Sequence, residues 1–282
     1  MRADLPIGVF DSGIGGLTVL RELMALLPGE SYLYLGDTAR LPYGTKSPET
    51  VIRYALGAGQ FLVARGIKVL VVACNTASAT ALPALQAALA VPVVGVVEPA
   101  ARVAAAVAQR AVGVLGTEST VASGVYQHLL AALRPELSVL SQACPLFVPL
   151  AEEGWFDHPI TQQVAQLYLS PLRQAGVDTV ILGCTHYPLL AAPIARALGP
   201  QVTLINAGQA VAEEVKATLH ARQLFSSRSQ GEVELWVTDA APRVRRLASV
   251  IIPQVGERLA LVDLGNGAKG EQSQRGVAYA PC

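Results

Sequence analysis

Short runs of β-branched and aliphatic residues alternate along the chain with longer stretches whose apolar positions recur at helical spacing. The short runs fall at 7–10, 32–35, 69–72, 93–96, 112–115, 179–182 and 202–205. They are almost continuously apolar, as strands covered by helices on both faces must be. The alternation predicts an α/β fold built on mostly parallel sheets flanked by helices. Ser47, Pro48 and Glu49 supply a cap, a proline for the first helical position and an acid for the first turn, so a helix is expected from there toward Ala64. Residues 69–97 carry no charge. Asn75, Thr76, Ser78, Pro83, Gln86 and Pro92 nevertheless divide them into an apolar run, a helix and a second apolar run, each too brief to cross a bilayer.

A weak internal repeat organises these elements. From Val69 a strand leads through Ala73-Cys74-Asn75-Thr76 into a helix, and from Thr179 a strand leads through Gly183-Cys184-Thr185-His186 into another. Ile7 to Thr18 and Val112 to Gly124 each pair a strand with a loop of small polar residues that opens a helix. The expectation is two pseudo-symmetric lobes, with chance similarity between α/β units as the alternative. Residues 1–98 plus 208–264 would form the first lobe and 99–207 the second, with the active site in the cleft between them. Ligands of open parallel sheets sit beyond the carboxyl ends of the strands, where both cysteine loops fall. Residues 265–282, rich in Gly, Ser and Gln without periodicity, are expected to be a disordered tail, which discounts Cys282.

Composition narrows the partners. Of 282 residues, 52% are hydrophobic and 15% charged, and 21 basic residues balance 21 acidic ones. No excess charge is available to track nucleic acid or an acidic membrane surface. Asp4 and Asp11 bracket an N-terminal apolar run too short for a signal peptide, so a cytoplasmic location with reduced thiols is expected.

The loop Asp11-Ser12-Gly13-Ile14-Gly15-Gly16 follows a strand but is no dinucleotide fingerprint, because Thr18 stands where the third glycine would be. Its amides and the Ser12 hydroxyl could hold a carboxylate at a helix N-terminus, with Asp11 as cap or as partner. Cys74 and Cys184 each lie between a strand and an expected helix. There the helix dipole should lower a thiol pKa from ~8.5 toward neutrality. Asn75, Thr76 and Thr185 can donate to a bound carboxylate, and His186 can orient or protonate the Cys184 thiol or serve only the structure. Two thiols in opposed loops suit removal of a proton from one face of a carbon and delivery to the other, which is racemisation. No lysine among Lys46, Lys68, Lys216 and Lys269 stands in a strand-end loop for a pyridoxal Schiff base, so no cofactor is expected. Zinc on Cys74, Cys184 and His186, in a non-catalytic binding module, is a rival with uncommon ligand spacing.

The motifs Val9-Phe10-Asp11-Ser12-Gly13-Ile14-Gly15-Gly16-Leu17-Thr18, Gly36-Asp37, Pro42-Tyr43-Gly44, Ala73-Cys74-Asn75-Thr76-Ala77 and Gly183-Cys184-Thr185-His186-Tyr187-Pro188 resemble those of the glutamate racemases, in the aspartate/glutamate racemase family. The match runs in order from about residue 6 to 215. The resemblance implies Cys74 and Cys184 as the catalytic pair, assisted by Asp11, Glu152 and His186. It implies substrate binding by Asp11, Ser12, Tyr43, Gly44, Asn75, Thr76, Thr185 and His186, and no metal. Glu153 adjoins Glu152, and either carboxylate could face the site. Further implications are glutamate as the small-molecule substrate, supply of D-glutamate for peptidoglycan, and a homodimer. An aspartate racemase of the same mechanism is the nearest alternative.

Overall fold

The computed structural model describes residues 3–240, 242–254 and 259–264; the expected tail and Cys282 lie outside the described residues. Among the described residues ten strands form two all-parallel sheets. The first sheet contains β1 (Ile7–Asp11), β2 (Tyr32–Gly36), β3 (Val69–Val72), β4 (Val93–Gly95), β9 (Val233–Val237) and β10 (Leu259–Leu261), ordered β10-β9-β2-β1-β3-β4. The second contains β5 (Ala111–Gly116), β6 (Ser138–Ala143), β7 (Thr179–Gly183) and β8 (Thr203–Asn206), ordered β6-β5-β7-β8. β1 and β5 are central and buried throughout, which explains their unbroken apolar runs.

The sheets are joined by the helices that cross between them. α4 (Val97–Val107) leaves the first sheet after β4, and α10 (Ala207–Ala221) returns to it after β8. With α1 (Leu17–Leu26) they bury Leu20, Ala101, Ala104, Val211 and Val215 in one cluster that also holds Val9 of β1 and Val114 of β5. Two further clusters cover the outer faces, one under α2 (Pro48–Ala64) and α3 (Asn75–Ala88), the other under α8 (Pro159–Gln174) and α9 (Ala191–Leu198). α2 begins as its sequence expects, with Ser47 Oγ accepting from Thr50 N at 3.4 Å. No helix among the described residues is long and apolar enough to cross a membrane.

Two features depart from the sequence pattern. β6 and β9 lack a continuous apolar run: β6 is an edge strand, half-buried over most of its length, and β9 alternates because it packs only part of its face. The segment after Cys184 does not enter an α-helix directly. It makes a 3-10 turn at Tyr187–Leu190, with Pro188 in its first turn, and α9 starts only at Ala191.

Candidate active site

The carboxyl ends of β1, β3, β5 and β7 meet between the sheets. At the end of β1 the chain turns sharply through glycines. Asp11 Oδ2 accepts from Gly13 N at 3.0 Å and Gly16 N at 3.1 Å, while Tyr34 donates to Gly13 O at 2.7 Å. The expected anion cradle of this loop is therefore occupied by Asp11 itself, whose carboxylate satisfies the amides that a substrate would need. Burial raises the Asp11 pKa above the ordinary carboxylate value, opposed by His186 and by the loop amides.

Cys74 caps α3 directly, its Sγ accepting from Ala77 N at 3.5 Å and its thiol donating to Ser12 Oγ at 3.3 Å. Helix position alone predicts a lowered pKa, but the thiol is pushed up to about 12. Desolvation by burial and the nearby Asp11 carboxylate outweigh the amide and hydroxyl that favour the thiolate. For Cys184 the expected α-helix dipole is missing, since a 3-10 turn follows it. Its neighbour is instead His186, with Nδ1 at 3.9 Å from Sγ.

His186 is 5% exposed, and its Nε2 lies 3.4 Å from Glu152 Oε1, at ion-pair distance without hydrogen-bond geometry. Burial works to lower the imidazole pKa, yet Cys184 and Glu152 together raise it to about 10. The adjacent carboxylates are distinguished by placement. Glu152, at the end of α7 (Phe147–Glu152), turns inward with an 11% exposed side chain, while Glu153 is 53% exposed. Arg243, in α11 (Pro242–Ile251), bridges from the other lobe to Glu152 Oε2 at 3.3 Å.

The remaining expected ligands surround the thiols. Thr185 Oγ1 approaches Asp11 Oδ1 at 3.5 Å. Asn75 Oδ1 accepts from Tyr126, in α6 (Val125–Leu133), at 2.8 Å. Asn75 Nδ2 has no bond among the described residues and is available as a donor. Thr76 Oγ1 forms a ring of hydroxyls with Thr117 at 3.0 Å and Thr120 at 3.3 Å. Thr117 caps α5 (Glu118–Ala122), so both partners come from the second lobe; sequence reasoning did not single them out, although the polar loop after β5 pointed to that place. Tyr43 is buried with its hydroxyl committed to Asp37 Oδ2 at 2.6 Å, and a Cβ on Gly44 would meet Thr117 at 2.7 Å.

Both thiols are nearly covered, Cys74 at 5% and Cys184 at 8% exposure. A cavity of about 520 Å³ lies against this seam, lined by Gly44, Thr45 and Lys46 from one lobe and Glu118, Ser119 and Ser123 from the other. A second, of about 530 Å³, lies away from the thiols, between α3, α4 and α10. Among the described residues no group of three or more His, Cys, Asp and Glu is arranged to hold a metal ion.

The model of the family described as Asp/Glu/Hydantoin racemase matches residues 7–215. A protein named glutamate racemase from Geobacter metallireducens is 55% identical over 83% of this chain and 87% of its own length. Among solved structures, glutamate racemase from Francisella tularensis in complex with D-glutamate superimposes with a TM-score of 0.88 at 36% identity, covering 93% of this chain and 99% of that one. The Thermus thermophilus enzyme in complex with beta-chloro-D-alanine gives 0.82 at 45% identity, covering 93% and 97%.

Proposed function

Because the chain belongs to the Asp/Glu/hydantoin racemase family, we propose that it interconverts L- and D-glutamate without a cofactor, using Cys74 and Cys184 as paired acid and base. The observation that carries this reading is the meeting of two buried thiol loops from opposite sheets on the turn after β1, where Cys74 bonds Ser12 at 3.3 Å and Thr185, next to Cys184, reaches Asp11 at 3.5 Å. One thiolate takes the α-proton, the C–H electron pair passes to the α-carbon and its carboxylate, and the other thiol delivers its proton to the opposite face. Asp11 and burial keep Cys74 protonated as the donor, while the His186 imidazolium, backed by Glu152, faces Cys184 as the base. The reverse direction exchanges these roles. Without an electron sink the carbanion depends on donors already in place, for which Asn75 Nδ2 and the hydroxyls of Ser12, Thr76 and Thr185 are the candidates. Tyr43 and Gly44 would then contribute through the backbone, since the phenol is engaged with Asp37.

The lobes of this reading are residues 1–98 plus 208–264 and residues 99–207, in keeping with the sheet to which each strand belongs. D-glutamate formed in the cytoplasm would supply peptidoglycan synthesis, and the active form would be a homodimer, checked by light scattering. The decisive experiment incubates dialysed protein with each enantiomer of glutamate and follows optical rotation. Both should racemise with no added pyridoxal phosphate or metal. Aspartate should turn over at least ~100-fold more slowly, a difference of ~2.7 kcal/mol from mispositioned carboxylate contacts. Comparable aspartate turnover would overturn the glutamate assignment, and a need for added cofactor would overturn the two-thiol chemistry.

A further inference from the structure

Each thiol loop is held by a hydroxyl from the other lobe, and both bonds fall on the residue immediately after the cysteine. Thr185 follows Cys184. Its carbonyl would meet the N–H three residues on in a regular 3-10 turn, but that residue is Pro188, which has none. The next amide, Leu189 N, bonds to His186 O at 3.1 Å. The missing donor comes from Thr18 Oγ1, in the first turn of α1 across the lobe boundary, at 2.8 Å. Thr18 is 2% exposed. Gly15 O also lies 2.9 Å from this hydroxyl, but it is already served by Thr18 N at 2.9 Å, so the hydroxyl proton is available to Thr185.

Asn75 follows Cys74. Tyr126, 1% exposed and in the first turn of α6, donates to its Oδ1 at 2.8 Å. That bond orients the amide and leaves Nδ2 as the donor. The two contacts are related as the lobes are: a helix near the first strand of each repeat reaches the thiol loop of the other.

We propose that Thr18 and Tyr126 are reciprocal positioning residues, each lobe setting through one buried hydroxyl the placement of the other lobe's thiol loop. The consequence for proton transfer rests on the racemase reading; the bracing itself does not. Mirror-image substrates have an equilibrium constant of one, so kcat/KM must fall equally in both directions whichever loop is disturbed. Asymmetry can appear only in which proton transfer limits the rate.

The test compares Thr18→Val, Thr18→Ser and Tyr126→Phe in the full chain. The Val and Phe variants should lose about 10- to 100-fold in kcat/KM, the scale of a small misplacement of reacting groups. Thr18→Ser, which keeps the hydroxyl, should recover most of that loss. With α-deuterated L- and D-glutamate, Thr18→Val should raise the isotope effect for one enantiomer and lower it for the other, and Tyr126→Phe should reverse the pattern. Iodoacetamide labelling, read cysteine by cysteine on peptides, needs no substrate. Thr18→Val should alter the rate at Cys184 and not at Cys74, and Tyr126→Phe the converse. If Thr18→Val fails to fold, Thr18→Ala is read in its place. Equal effects on both thiols, no effect in folded variants, or a Ser variant as impaired as Val would overturn the bracing. A wild-type protein inert to glutamate would instead remove the racemase reading and leave the labelling result standing.

Discussion

At the scale of single residues the two thiols are unequal. Cys74 sits against Asp11 and is held protonated by burial, whereas Cys184 sits against a histidine that its surroundings favour as a cation. Removing either thiol deletes the acid in one direction and the base in the other. Cys74→Ala and Cys184→Ala should each lower racemisation both ways by at least ~10³-fold, since groups acting as a unit are not additive; chiral chromatography of timed samples checks this. The resemblance to the glutamate racemases implies that Cys184 takes the α-proton of L-glutamate and Cys74 that of D-glutamate, so in heavy water Cys74→Ala should exchange the α-proton of L-glutamate faster than that of D-glutamate, and Cys184→Ala the reverse. His186 carries a second consequence. Its folded-state pKa of about 10 exceeds the unfolded value of 6.5, so the stability it contributes is complete below pH 6.5 and lost as pH rises through about 10. Urea titrations across that window should show wild-type stability declining with pH where His186→Asn shows a flatter curve.

At the scale of elements, the strand-to-helix turn after β1 acts as a contact surface between lobes. A Cβ on Gly15 would lie 2.5 Å from Thr185 Oγ1 and 2.6 Å from the His186 ring. Neither neighbour is a free side-chain end, since Thr185 faces Asp11 and His186 is held between Cys184 and Glu152. Gly15→Ala must therefore separate the two loops, and a drop in kcat of about 100-fold is expected, larger than any loss of thermal stability would explain. The cap of α2 offers the opposite case. Ser47 is exposed and its side chain bonds within the first turn of its own helix, so Ser47→Ala should cost about 1 kcal/mol in denaturant titrations and leave kcat unchanged.

At the scale of the whole molecule, distant segments are fastened by a buried ion pair at the end of the first sheet opposite the thiols. Lys68 is fully buried against Glu30 and also donates to Leu224 O at 2.9 Å. Glu30 Oε1 in turn accepts from Ser226 N at 2.9 Å, which ties the chain returning from α10 to the start of β2. Breaking such a pair leaves an uncompensated charge. Lys68→Ala should cost about 3–5 kcal/mol by urea unfolding, with activity per folded molecule preserved. Both thiols belong to one chain, so mixing Cys74→Ala with Cys184→Ala protein should restore no racemisation, even if the chains associate.

Much of this was legible in the chain itself. The central strands declared themselves because burial on both faces demands unbroken apolar runs, and the start of α2 because its cap is written in three consecutive residues. The two cysteine loops stood out because a strand, a thiol and a run of small polar residues are adjacent in sequence. What lay beyond local pattern was decided by packing. The alternating β9 and the partly exposed β6 carry no continuous signal, and the choice between Glu152 and Glu153 depends on which one a folded helix turns toward His186. The raised pKa of Cys74 reverses the expectation from its helix position, because desolvation and Asp11, 63 residues away in sequence, outweigh the local amide. Thr18, Thr117, Thr120 and Tyr126 enter the site only when the lobes meet. A helix cap is settled by neighbours in the chain, whereas the charge a group can hold is settled by everything that excludes water from it, and that is a property of the closed molecule alone.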